Sequence, residues 1–190
     1  KPLVGVHHML GHLLTPSLPY NGEFPKFPFL SLLISGGHTI LVLSKDFVTH
    51  EILASSQDIA LGDALDKSAR TLGLRGIMLG KELERFINEK PIKPELMEKQ
   101  FMNFPHPFAN NRNRLNVPVM GFGPLSNTVN QYVIDNFGSS SVIKDEDIIK
   151  DEDMRRKLAY EAQAAIFNYL IERIGVAIQI NKDKLQGCKD

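Results

Sequence analysis

The sequence predicts an α/β fold, with strands in the first third of the chain and helices after them. The segment FLSLLISGGHTILVLS (residues 29–44) is apolar on both sides of a Ser-Gly-Gly turn, which is typical of a β-hairpin. VTHEILAS (48–55) adds a third strand-like run. Beyond it, apolar residues recur at helical spacing, most clearly over residues 158–178. We therefore expect a meander of three strands followed by helices.

Composition indicates a globular chain. Hydrophobic residues make up 43% of the 190 residues and charged residues 23%. Lys plus Arg and Asp plus Glu number 22 each, so the chain lacks the overall basic excess of many nucleic-acid binders, although a locally basic face remains possible. The single cysteine, Cys188, excludes an intrachain disulfide. No apolar run approaches the roughly 18 residues of a membrane span, so no membrane partner is expected.

Around the hairpin, the remaining elements follow from local signals. PLVGV (2–6) predicts a buried strand, and HHMLGHLLT (7–15) predicts a helix that Pro16 ends. Proline, glycine and asparagine indicate a loop over 15–28. A helix is predicted over 58–74, with Asp58 as its N-cap and Gly73 at its end. The later segments are a helix (80–89), an irregular connection (90–117), a helix (124–137), an acidic linker or helix lead-in (139–154) and a long helix (158–178).

Three of the six histidines lie in GVHHMLGHLL (5–14). His8 and His12 are four residues apart, so a helix would present both imidazoles on one face, as a pair of metal ligands requires. A third ligand must then come from elsewhere. No Glu follows the first histidine, so the H-E-x-x-H pattern of metallopeptidases is absent. The alternative is that these histidines cap or fill a helix end. His7 would point about 100° away from His8 and is expected to be structural.

Two further motifs carry polar groups that suit a nucleotide. In LLISGGHT (32–39), adjacent glycines beside His38 either cradle an anion with their N–H groups or simply form a tight hairpin turn. In GDALDKSA (62–69), Asp63 and Asp66 lie three apart with Lys67 beside them. This face either offers a carboxylate to hydroxyls such as a ribose diol, or is an ordinary solvated helix surface.

Taken in order, four segments resemble the tRNA threonylcarbamoyltransferases, the TsaD and Kae-type proteins formerly called O-sialoglycoprotein endopeptidases. The segments are GVHHMLGHLL (5–14), FPFLSLLISGGHT (27–39), DIALGDALDKSARTLGL (58–74) and GKELERF (80–86). The resemblance is dense over residues 3–89 and weaker beyond, where YEAQAAIFNYLIERI (160–174) is similar to a long helix of that family.

The resemblance implies the actin/Hsp70-like (ASKHA) fold, with two lobes around a nucleotide cleft. The 190 residues would form the central part of that two-lobe domain. Residues 1–57 would supply the histidine helix and the glycine-turn hairpin, and residues 58–190 a mostly helical part. The family's phosphate-loop segment and its C-terminal Asp-Asn-Gly and Gly-rich segments do not occur in this sequence, so we expect a partial chain.

The activity implied is transfer of a threonylcarbamoyl group from threonylcarbamoyl-adenylate to the adenosine 3′ of the anticodon, in tRNAs that read A-starting codons. His8 and His12 match the metal-ligating histidines for one divalent ion per subunit, iron or zinc, with the third ligand in the Asp-Asn-Gly motif. Asp66 matches a ribose-binding aspartate, and Gly80 a substrate-contacting glycine once a one-residue gap is allowed in RGIMLGK (75–81). The stretch that would contact the adenylate and its phosphate is Leu33, Ile34, Ser35, Gly36 and Gly37.

Within the family, the segments at 58–74 and 80–86 are closer to the mitochondrial branch. That similarity implies a mitochondrial location and a homodimer. Two other functions remain open from the residues themselves. One is a metallopeptidase, as the old family label states, and the other is a non-catalytic nucleotide-binding or dimerisation fragment.

Overall fold

In the computed structural model, helices pack on a single four-stranded sheet. The structure describes residues 2–3, 5–18, 25–138, 149–186 and 188. The strands are β1 (Phe29–Ile34), β2 (Thr39–Ser44), β3 (His50–Ser56) and β4 (Val119–Met120). The helices are α1 (His8–Leu13), α2 (Leu61–Thr71), α3 (Leu79–Glu89), α4 (Pro94–Met97), α5 (Gly123–Phe137) and α6 (Glu152–Ile180). Short 3-10 turns lie at Thr15–Ser17, Arg112–Arg114 and Lys182–Leu185.

The sheet has the strand order β1-β2-β3-β4. β1 and β2 are antiparallel, and Ile34 faces Thr39 across the glycine turn. β2 and β3 are also antiparallel, with an irregularity in the register between Leu41 and Val42. The predicted three-strand meander is therefore confirmed. β4 pairs in parallel with the end of β3, and sequence patterning missed it because it is only two residues long.

The predicted helices are confirmed with shifted ends. α1 ends three residues before Pro16, and α2 ends at Thr71. Gly73 then adopts a φ of 79°, in the left-handed region that glycine enters without steric cost, so it closes α2 as expected. The connection over 90–117 is mostly irregular, apart from α4 and one 3-10 turn. The acidic segment lies largely at 139–148, and part of the loop at 15–28 lies at 19–24, both outside the described residues.

The predicted strand over residues 2–6 is wrong for the residues that the structure describes there. Residues 2, 3, 5 and 6 form no strand, and Val4 lies outside the described residues. Leu3 is 97% exposed and Val6 69% exposed, so neither packs against the sheet. An apolar run becomes a strand only where a neighbour completes its hydrogen-bond ladder, and the described residues of this run pair with none of the four strands.

Asp58 does not cap α2, so that prediction is also wrong. Ala60 occupies the N-cap position of α2. The Asp58 carboxylate instead accepts hydrogen bonds from the N–H groups of Phe122 and Gly123, both at 2.9 Å. Because β4 pairs with β3, the start of α5 is brought to Asp58, whose charge then satisfies N–H groups that an α-helix leaves open at its first turn.

The core is formed by the sheet together with α2, α3, α5 and α6, the last of which is 29 residues long. Tyr169 of α6 packs edge-on against Phe122, with ring centroids 5.5 Å apart, and its hydroxyl accepts a hydrogen bond from the Gly121 N–H at 3.1 Å. Burial raises the pKa of Tyr169 to about 12. The same helix buries charged side chains, among them Arg156 and Arg173. None of the helices in the described part of the chain has the length and apolar character needed to cross a bilayer.

Candidate functional site

A cavity of about 250 Å³ lies between α1, β1 and the turn that follows β1. Five of the predicted site residues line it, namely His8, His12, Leu33, Ile34 and Ser35. Its other lining residues are Met9, Leu32 and His38. The fold therefore brings the histidine pair and the Ser-Gly-Gly turn to one place, although 26 positions separate His12 from His38 in the sequence.

The histidine pair has the geometry of two convergent ligands. The Nε2 atoms of His8 and His12 lie 3.2 Å apart, and their rings are nearly perpendicular at 81°. Two nitrogens that are each about 2.0–2.1 Å from a tetrahedral ion are separated by about 3.3 Å, so this spacing fits a transition metal. In a metal-free protein, the same distance fits a hydrogen bond between the rings. His7 is the N-cap of α1 and does not line the cavity.

The pair supplies two ligands and no more. Among the residues that the structure describes, no set of three or more His, Cys, Asp and Glu side chains is placed to hold an ion. The resemblance assigned the third ligand to a motif absent from this sequence, and that assignment stays a prediction. No carboxylate lines the cavity in the described part of the chain.

The Ser-Gly-Gly turn is closed by Ser35. The Ser35 N–H donates to the His38 carbonyl at 2.8 Å. The Ser35 hydroxyl accepts from the N–H groups of Gly37 and His38, at 3.2 and 2.9 Å. The turn is thus a hairpin connection with its donors turned inward. A phosphate would use these two N–H groups only by replacing the Ser35 hydroxyl as their acceptor.

The turn is anchored to the first turn of α2. The Leu61 N–H donates to the hydroxyl of buried Thr39 at 2.8 Å, and the Gly62 N–H donates to the Ser35 carbonyl at 3.3 Å. These bonds satisfy two of the N–H groups at a helix start that has no side-chain cap of its own. A β-carbon on Gly62 would lie 2.7 Å from the Ser35 oxygen, so the contact requires glycine.

We expect Gly62→Ala to cost about 1–3 kcal/mol of unfolding free energy, because the new methyl group meets backbone atoms that cannot rotate away. Gly175→Ala in α6 is the matched control. A β-carbon there meets nothing within 4 Å, so the better helix propensity of alanine should stabilise the protein by about 0.5–1 kcal/mol. Urea unfolding of both variants measures the difference. Equal effects of the two substitutions would contradict the close contact.

Asp66 and Gly80 form a second contact outside the cavity. The Gly80 N–H donates to Asp66 Oδ1 at 2.7 Å, so the carboxylate fixes the start of α3. Asp63 instead forms an ion pair with Lys67 at 2.9 Å. Asp63 therefore lies on an ordinary solvated helix surface. Asp66 instead points toward α3.

Helix α2 joins the two groups of residues. Gly62 contacts the turn, and Asp66 is four residues further along, which places both on one face about 6 Å apart along the axis. Of the predicted residues, Gly36, Gly37, Asp66 and Gly80 do not line the histidine cavity. Gly36 still lies against α2, since its nitrogen would be 2.9 Å from a Gly62 β-carbon.

Several residues that shape the site had no role in the sequence-based prediction. Thr39 anchors α2, and Met9 and Leu32 line the cavity. One available signal for Gly62 was a glycine in the first turn of an amphipathic helix, where helix propensity alone disfavours it. Thr39 gave no signal in the sequence, because threonine is common in strands and its hydrogen-bond partner Leu61 is 22 residues away.

Comparisons with known proteins identify the family of the chain. The sequence model of the TsaD family, described as tRNA N6-adenosine threonylcarbamoyltransferase, matches residues 1–185. A curated relative of that name from Magnetococcus marinus is 53% identical over 76 residues, which is 39% of this chain and 21% of the relative. The chain thus matches about one fifth of the length of that relative. Because the family match extends over nearly the whole chain and the mixed α/β fold is consistent with part of an ASKHA-type domain, the chain belongs to the TsaD family.

Proposed function

We propose that the protein to which this chain belongs is a tRNA N6-adenosine threonylcarbamoyltransferase, with threonylcarbamoyl-adenylate and tRNA as its substrates. The observation that carries the proposal is the joint position of the histidine pair and Ser35 in one cavity, with Asp66 on the helix that anchors the turn begun by Ser35. The family membership and the name of the relative support the same activity.

The reaction is an acyl transfer to a weak nucleophile. The exocyclic amine of adenosine attacks the carbamoyl carbon of the adenylate. A nitrogen–carbon bond forms, the bond between that carbon and the phosphate oxygen breaks, AMP leaves, and the amine loses a proton. Since AMP is a good leaving group, the protein's main task is to hold the two substrates in the reactive orientation.

His8 and His12 would hold a divalent ion, iron or zinc, because their Nε2 atoms converge at 3.2 Å. When bound, such an ion supplies Lewis-acid polarisation of a carbonyl. The two imidazoles stand on the exposed face of α1 beside Leu33 and Ile34. The apolar surface of β1 would therefore flank the acyl part of the adenylate.

Asp66 would accept hydrogen bonds from the ribose hydroxyls. Its Oδ1 already holds the Gly80 N–H, so the carboxylate both orients the start of α3 and presents its second oxygen to the substrate. The Ser35–Gly37 turn would face the phosphate. It is rigidly placed, because it is bonded internally through Ser35 and externally through Gly62.

The test is a calorimetric titration of the full-length protein that contains this chain with a non-hydrolysable threonylcarbamoyl-adenylate analogue. We expect Asp66→Ala to weaken binding about 10–100-fold, because a hydrogen bond to a charged group contributes about 1.5–3 kcal/mol. Asp66→Asn keeps an acceptor for the Gly80 N–H, so its affinity for the analogue should lie between those of Asp66→Ala and the unaltered protein. Asp63→Ala, which removes a carboxylate paired with Lys67 from the same helix, should bind as the unaltered chain does.

Failure of the full-length protein that contains this chain to bind the analogue would overturn the proposal. Equal weakening by Asp63→Ala and Asp66→Ala would remove Asp66 from it and leave only a charge effect. A mitochondrial location and a homodimer are carried by the resemblance to the mitochondrial branch alone, and both stay predictions.

A further inference from the structure

A second cavity, of about 330 Å³, lies between α2 and α5. We call it the basic groove. Every side chain that lines it is cationic or carries a hydroxyl or an amide, and none is acidic or apolar. The lining residues are Lys67, Arg70, Thr71, Arg75, Ser126, Asn127 and Asn130.

The groove concentrates positive charge on a chain whose formal net charge is zero. Arg70 and Arg75 are exposed, and neither forms an ion pair with any residue that the structure describes. Lys67 pairs with Asp63 at 2.9 Å, but both side chains remain more than one third exposed. Arg75 also borders a neighbouring cavity in which arginines outnumber glutamates, since its charged lining residues are Arg75, Glu82, Arg85, Glu89 and Arg155.

The neutral groups of the groove suit the same ligand. Asn127 and Asn130 of α5 present side-chain amides that have no hydrogen-bond partner among the described residues. Arginine, lysine, asparagine and hydroxyl side chains are the groups that contact phosphate and sugar in nucleic-acid complexes. Protein interfaces instead centre on aromatic and apolar side chains, which this groove lacks.

The position of the groove relates it to Asp66. Arg70 follows Asp66 by four residues on α2, so the two lie on adjacent turns of one face, about 6 Å apart along the axis. A polyanion held by Arg70 would therefore pass close to the carboxylate assigned above to the adenylate ribose.

We propose that the basic groove binds the sugar–phosphate backbone of the RNA substrate. This inference rests on the proposed function, because it takes RNA as the acceptor of the acyl group. The groove would hold backbone phosphates without reading sequence, and its contribution would be to position the RNA beside Asp66.

The experiment measures binding of a fluorescently labelled tRNA transcript to the full chain by anisotropy at several salt concentrations. Arg70→Gln/Arg75→Gln should reduce affinity about 10-fold or more at low salt. It should also reduce the slope of log affinity against log salt by about 1.5, because each phosphate contact contributes about 0.7–0.9. The matched control is Lys99→Gln/Lys182→Gln, which removes two exposed cations from other parts of the surface and should change affinity less than 2-fold.

Three results would overturn the inference: no RNA binding by the unaltered chain, an unchanged salt slope in the double arginine variant, or an equal loss in the lysine control. Both double variants should bind the adenylate analogue as tightly as the unaltered chain. If the analogue binds and the arginine variant still binds RNA normally, the groove assignment fails while the proposed function stands. If the analogue does not bind but RNA binding depends on the groove, the proposed function fails.

Discussion

Replacing His12 with alanine is expected to reduce zinc affinity at least about 100-fold. The pair supplies two nitrogens that converge at 3.2 Å, and one imidazole alone cannot chelate. Loss of a group that merely orients a ligand already costs about 10–100-fold, so loss of a ligand should cost more. His8→Ala should behave in the same way. Calorimetric titration of the full chain with Zn²⁺ measures the effect.

His7→Ala is the matched control for the histidine pair. It removes an imidazole from the neighbouring position, but that ring is outside the cavity and should leave zinc affinity unchanged. Since His7, His8 and His12 are all exposed, none of the three variants should change the unfolding free energy by more than about 0.5 kcal/mol. Equal zinc affinity in the three variants would show that the pair is not a metal site.

Replacing Arg173 with methionine is expected to cost about 3–5 kcal/mol of unfolding free energy. The side chain is 1% exposed and donates to the carbonyls of Arg114, Leu115, Val117 and Val119. Methionine fills similar volume but removes all four of these hydrogen bonds, and a buried group that is left without a partner costs about 1–3 kcal/mol before the structure relaxes. Urea unfolding monitored by circular dichroism measures the loss.

A second variant separates charge from geometry at this position, and a third, at another arginine, is the control. Arg173→Lys keeps the charge but not the planar fork of donors, so it should recover only part of the stability. Arg85→Met is the matched control, because Arg85 is 77% exposed on α3 and pairs only with Glu82 there. It should change stability by less than about 0.5 kcal/mol. A loss of unfolding free energy below about 1 kcal/mol in Arg173→Met would contradict a stabilising role for these hydrogen bonds.

Most of the fold could be predicted because its signals are local. The hairpin is encoded by apolar runs around Ser35–Gly37, and α2 by apolar spacing that ends at Gly73. The errors involve distant partners. The run at 2–6 found no strand to pair with, and β4 is a strand only because β3 lies beside it.

The candidate site was partly predictable for the same reason. His8 and His12 are four apart on one helix, so their convergence follows from helix geometry. The contact between Asp66 and Gly80 needed the turn between α2 and α3, and only the family resemblance had pointed to both residues. The basic groove was missed because its two walls, α2 and α5, are far apart in the sequence and neither is strongly basic alone.

The carboxylate of Asp58 has a consequence for the order of folding. It ties the end of β3 to the start of α5 across 64 residues, whereas the meander and the α2–α3 pair close over short separations. The entropic cost of closing a loop rises with its length, so the short loops close at lower cost. The hydrogen bonds from Phe122 and Gly123 to Asp58, together with the β3–β4 pair beside them, are thus expected to form late. The meander and the α2–α3 pair are expected to acquire their structure first.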